Sequence, residues 1–263
     1  MGGENQDSMP KFSLKRKISS KKTVLSVALS LLLLVCLIVA NYLSLMLVRT
    51  ETGGESVTAG DFKVYMLTLS KSQVEKESIS RAVDFRKIGA GGYVWQQNEY
   101  YFVVSSVYAN RNDAVLVQNS VKSNQGLESE IVEVAFPSFT INGNFSGEEK
   151  KVLSKALNAF YELYYNIYDI AISLDTAVYN EISARLAVNN AHSGLSNTID
   201  NFNTMFGEYD QPEIQELSDA LDDGLQISKA LCGGSPISEG QTYSSLLKYH
   251  YTEILALYLD FIS

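Results

Sequence analysis

Apolar and polar positions follow three different patterns along this chain, and each pattern predicts a different kind of structure. From Val24 to Val48 there is no alternation: the run is apolar and uncharged, and Asn41 is its only strongly polar residue. At about 1.5 Å per residue, a run of this length crosses a roughly 30 Å hydrocarbon core with some tilt. Residues 23–48 are therefore expected to form a transmembrane helix. Residues 49–60 are rich in Gly, Ser, Thr and Glu and lack periodicity, and read as a short flexible stalk.

From Asp61 to Pro137 strand-like and helix-like stretches take turns. Phe62 to Leu69 reads as a strand. Gln73 to Gly89 reads as a helix, with Val74, Ile79, Val83 and Ile88 apolar and Gly89 as its stop. Tyr93 to Gln97 and Tyr100 to Tyr108 read as strands joined by a tight hairpin at Asn98-Glu99. Asn110 caps a second helix to Asn124, with Ala114, Val117 and Val121 on one face. Leu127 to Ala135 is the last strand, closed by Pro137. The order β-α-β-β-α-β predicts a split βαβ domain over 61–137, an antiparallel four-stranded sheet with both helices on one face.

Over residues 138–263 the period becomes helical, so the fold class is α+β. Ser146-Gly-Glu-Glu149 is a capping box. Behind it Leu153, Leu157, Phe160, Tyr164, Ile167, Ala171, Leu174 and Val178 recur at heptad spacing. The spacing predicts one helix to about Asn190, a shorter one from Leu195 to Phe206, a third behind Pro212 that ends at Gly233-Gly234, and a fourth along Tyr243, Leu247, Tyr251, Ile254, Tyr258 and Phe261. Together they predict an antiparallel helical bundle. The heptad seam over 153–178 serves either that bundle's core or a homodimer.

Charge orients the chain. Residues 1–22 carry Lys11, Lys15, Arg16, Lys17, Lys21 and Lys22 against Glu4 and Asp7, a tail of about +4. Lys and Arg stay on the cytoplasmic side, so the N-terminus is expected inside and everything past the span outside. A cleaved signal peptide is the alternative, but the run exceeds the usual apolar region of about 7–15 residues. The whole chain carries −9, which leaves about −13 for the outer part. That excess disfavours nucleic acid and anionic lipid surfaces as partners. Beyond the span Cys232 is the only cysteine. An external domain of this kind has no internal disulfide and depends on packing.

The segment from Tyr101 to Ala114 resembles the second half of a SPOR domain, the sporulation-related family that binds peptidoglycan. Tyr101, Val103, Tyr108, Asn110-Arg111 and Ala114 carry the likeness, and Val64 fits the first half. Tyr65 stands where the family often has Gln, and Leu67 and Ser106 stand where it has Gly. The resemblance covers about 61–137 and implies binding of glycan strands on the sheet face left free by the helices. Pairing through the Asn98-Glu99 turn places Trp95 opposite Phe102 and Tyr93 opposite Val104. The face expected to be open therefore carries Tyr65, Leu67, Tyr93, Trp95, Phe102 and Val104. Both faces of this sheet read apolar, whereas a half-exposed sheet alternates. Three occupants fit the surplus: a glycan stacked on the rings, the chain's own helices, or another protein.

No catalytic constellation stands out. His192 and His250 belong to no metal-binding spacing, and Cys232 has no His partner in sequence. Gly89-Ala-Gly-Gly92 leads into a strand and so lacks the geometry of a phosphate loop. Neither a metal nor a cofactor is expected. The expected protein is a single-pass, non-enzymatic membrane protein whose outer part recognises cell-wall glycan in division or sporulation. The alternative is a tethered scaffold for protein partners.

Overall fold

A computed structural model describes residues 56–263, which belong to one compact unit. The basic tail, the expected transmembrane helix and residues 49–55 of the expected stalk lie outside the described residues. Among the described residues no helix is long and apolar enough to cross a membrane. The chain there is α+β. Its elements are β1 (Ser56–Ala59), β2 (Phe62–Ser72), α1 (Glu75–Lys87), β3 (Tyr93–Gln97), β4 (Tyr100–Tyr108), α2 (Arg111–Gln125), β5 (Glu130–Phe136), β6 (Phe139–Asn142), α3 (Gly147–Asp175), α4 (Glu181–Phe206), α5 (Pro212–Gly233) and α6 (Tyr243–Phe261).

β2 to β5 form an antiparallel sheet in the order β3-β4-β2-β5. The hairpin falls at Asn98-Glu99 as the sequence predicts, with Gln97 opposite Tyr100, Trp95 opposite Phe102 and Tyr93 opposite Val104. Asn98 has φ +55°, a left-handed conformation that Asn tolerates and tight hairpins require. Asn110 caps α2 by accepting a hydrogen bond from the Asp113 N–H. Ala114 of α2 packs with Leu67 and Tyr108.

Residues 56–59 are not stalk. β1 pairs antiparallel with β6 in a two-stranded ribbon, with Val57 opposite Ile141. Both are buried, while Thr58 and Thr140 share a 2.9 Å hydrogen bond on the other face. This alternation has period two, but only over four residues on each strand, too short to stand out in a Gly- and Ser-rich stretch.

The four long helices pack as α3 on α4, α4 on α5, α5 on α6 and α6 on α3. Short connections make neighbours in this cycle antiparallel. The first break differs from the expected one. α3 ends at Asp175, Asn180 caps α4, and Asn189-Asn190 lies inside α4. The Asn180 side chain accepts from the Ser183 N–H at 2.9 Å, which satisfies a free donor of the new helix. Val178 therefore falls in the turn and is 69% exposed. The rest of the seam from Leu153 to Ala171 is buried in the chain's own core.

The capping box forms as expected. Ser146 Oγ accepts from the Glu149 N–H, and the Glu149 carboxylate accepts from the Ser146 N–H at 2.6 Å. Tyr209 Oη also donates to that carboxylate, tying the α4–α5 turn to the start of α3. Ser146→Ala is expected to lower stability by about 1 kcal/mol, measurable as an earlier midpoint in urea with an unchanged slope.

Candidate functional site

The sheet face expected to be open is covered. α6 lies against β3 and β4, and a single apolar core runs from the sheet into the bundle. Trp95, Phe102 and Val104 belong to that core, and Trp95 is only 5% exposed. Tyr93 is half-buried and meets Tyr249 of α6 edge-on at 5.2 Å. The physical reason is the surplus noted above: an apolar face of this size has to leave water, and the bundle supplies a matching one. At the β2–β5 end the Phe62 and Phe136 rings stack at 4.4 Å, and Tyr258 of α6 joins them at about 6 Å.

Tyr65 and Leu67 are not on this face. The β2–β4 register slips twice, once past Ser105 and once past Leu69. Each bulge reverses which residues point to which side. Phe102, Val104 and Val107 consequently face the bundle, while Tyr108, Tyr65 and Leu67 gather around Ala114 of α2. A uniform alternation along β4 does not anticipate this. The pair of small polar residues at Ser105-Ser106 is the one local sign of a bulge.

The Gly-rich stretch before β3 turns out to be the seat for α6. The Lys248 Nζ donates to the Gly89 carbonyl at 3.2 Å, and the Ser245 hydroxyl donates to the Ala90 carbonyl. A Cβ on Gly91 would lie 2.9 Å from the Lys248 carbonyl carbon, so only glycine permits this approach. From the other side, Arg86 donates to the Gly92 carbonyl at 2.8 Å and lies over the Tyr249 ring. One further polar contact pins the two layers together: the Val107 N–H donates to Tyr251 Oη at 3.0 Å, deep in the core.

Tyr108, Tyr164, Tyr168 and Tyr251 meet ring to ring at this junction, with centroids about 6 Å apart. Burial pushes the Tyr108 phenol up to about 12 and holds those of Tyr164 and Tyr251 well above their ordinary value. In the unfolded chain these phenols ionise near pH 10. Above that pH the unfolded state has lost protons that the native state keeps, so stability falls as pH rises. Alkaline titration is therefore expected to show the last part of the tyrosinate absorbance, that of the buried phenols, appearing together with the loss of helical circular dichroism. Ionisation of all sixteen tyrosines at constant helicity would show that these hydroxyls are not held in the core.

Beside the covered face lies a shallow groove of about 700 Å³ between β3, α5 and α6. Tyr93, Trp95 and Gln96 form one wall, and Ile227 and Leu257 contribute apolar surface. Asp223, Glu253 and Asp260 bring carboxylates to it, with neither Lys nor Arg among its lining residues. Two of the six residues expected to bind ligand thus still line a concave surface, at its wall and not on an open plane. His250 Nδ1 lies 2.7 Å from the Glu253 carboxylate. His192, placed within α4, contacts the Ser228 hydroxyl of α5 at 2.8 Å. Burial raises the pKa of the half-buried Cys232 thiol, which disfavours the thiolate. Among the described residues no three His, Cys, Asp or Glu side chains are grouped as a metal site. The groove combines an amide side chain, apolar side chains and carboxylates among its lining residues. Comparison with protein-family models, with curated proteins and with solved structures finds no match for the chain.

Proposed function

We propose that this chain is a single-pass membrane protein whose folded part works outside the cytoplasm as a non-catalytic recognition module for a protein partner. The anchor and its orientation rest on the uncharged run Val24 to Val48 and the basic residues before it. The choice of partner rests on one observation: α6 occupies the sheet face on which the SPOR resemblance would seat a glycan. A ring that is 5% exposed, such as Trp95, has too little free surface for a sugar to stack on. What stays accessible at this end of the sheet is the margin of β3 and the acidic groove beside it.

The test has two arms. A reporter active only outside the cytoplasm, fused after Ser263, should be active, and activity of a cytoplasm-dependent reporter there would reverse the topology. Sacculi stripped of protein and stem peptides should not retain the purified protein. Saturable binding to stripped glycan would overturn the protein-partner reading and restore the glycan one.

A further inference from the structure

β3 is an edge strand that pairs only with β4. One set of its backbone N–H and C=O groups therefore points away from the sheet, a template for another strand. Proteins usually guard such an edge with charge, proline or a bulge. The opposite edge is guarded: β5 carries Glu130 and Glu133, and Glu133 is paired with Lys63 at 2.6 Å. β3 reads Tyr-Val-Trp-Gln-Gln, with neither a charge nor a proline, and its five residues pair without a register shift.

Two concave surfaces flank this edge. One is the acidic groove with Asp223, Glu253 and Asp260. The other, of about 330 Å³, lies on the α1 side with Ile79 and Tyr101. Tyr93, Val94 and Gln96 line both, so β3 is the ridge between them. Side chains of an added strand alternate between its two sides, and would enter the two grooves in turn. Strand addition draws affinity from the main chain and specificity from such side pockets. The first groove holds the carboxylates of Asp223 and Asp260 beside Glu253, which already meets His250, with neither Lys nor Arg in its lining, and this charge selects basic side chains. The second is lined by Glu75 and Arg86 as well as by Tyr101 and Ile79, the last 49% exposed, and apolar side chains suit its Ile79 and Tyr101 part.

We infer that the outer edge of β3 receives an extended segment of a partner protein as a fifth strand, with Lys or Arg at alternate positions over Asp223, Glu253 and Asp260 and apolar residues between them. This rests on the protein-partner reading above and goes further by naming the surface and the chemistry of the segment. The net charge of about −13 on the outer part of the chain attracts such a segment from a distance.

The experiment uses the full chain in detergent micelles and two labelled peptides. The first is an eight-residue alternation of Lys and Val. The second has the same charge but two of its Val replaced by Pro, which cannot extend a sheet. Fluorescence polarisation is expected to show at least tenfold tighter binding of the first, weakened by salt. Hydrogen exchange is expected to show new protection of amides in Tyr93–Gln97 when the first peptide is bound. Asp223→Lys with Asp260→Lys changes two exposed helix residues and is expected to reduce that affinity at least tenfold with unchanged circular dichroism. Equal binding of the two peptides, absent protection in β3, or an unchanged affinity in the double variant would overturn strand addition here. None of these results depends on sacculus binding, so this inference and the protein-partner reading fail separately.

Discussion

Expressed without the helices, residues 56–142 are expected to form aggregates and not a soluble monomer. In the intact chain the bundle side of the sheet carries Val64, Met66, Trp95, Phe102, Val104, Val107, Val134 and Phe136, each no more than 6% exposed. Full burial of such a side chain is worth about 1.5–3 kcal/mol. For eight of them together that is about 12–24 kcal/mol, as large as the roughly 5–15 kcal/mol that holds a domain folded. The β1–β6 ribbon loses α3, against which β1 packs, in the same truncation. Size-exclusion chromatography and binding of a hydrophobic dye, compared between 56–142 and 56–263, check this. A monomeric 56–142 that melts cooperatively, with no dye binding, would show that the sheet does not need the bundle.

Trp95→Ala is expected to destabilise the protein by about 3–5 kcal/mol through the cavity it leaves under α6, whatever it does to binding. The Trp95 ring is 5% exposed, sits opposite Phe102 in the β3–β4 ladder and neighbours Tyr93 at 6.5 Å. The same change on an open binding platform would leave stability nearly untouched. Chemical denaturation of the variant decides between the two, with Lys122→Ala as a comparison on the solvent face of α2. Lys122 is exposed and makes only an exposed ion pair with Glu128, worth about 0–1 kcal/mol. A Trp95→Ala protein with the parent's midpoint would return the ring to the surface and the glycan reading with it.

These two results bear on one design. An apolar surface too large to leave in water is closed by a second layer from the same chain. That closes the face of the sheet and leaves the margin of β3 beside the groove. The seat of α6 shows how closely the layers fit: Gly91 leaves room for the Lys248 backbone, and Arg86 clamps the loop from behind.

Much of this was legible in the residues. The order of strands and helices follows from local periods, and the hairpin register follows from a two-residue turn, because both are set by neighbours in sequence. The capping box at Ser146 and the heptad seam behind it are local in the same sense. The chain also announced its surplus: apolar residues on both sides of one sheet require a cover, although three covers were compatible with the sequence. The cover was decided by tertiary structure, since the fit of Tyr249, Tyr251 and Tyr258 of α6 to the sheet joins residues more than a hundred positions apart. The faces of Tyr65 and Leu67 were decided there too, because a bulge depends on the partner strand and leaves little trace in its own. So was the use of Gly91, whose missing side chain matters only once the Lys248 backbone arrives against it. Local sequence fixes conformations that neighbouring residues enforce. Which surfaces meet depends on the apolar area that the whole chain must remove from water.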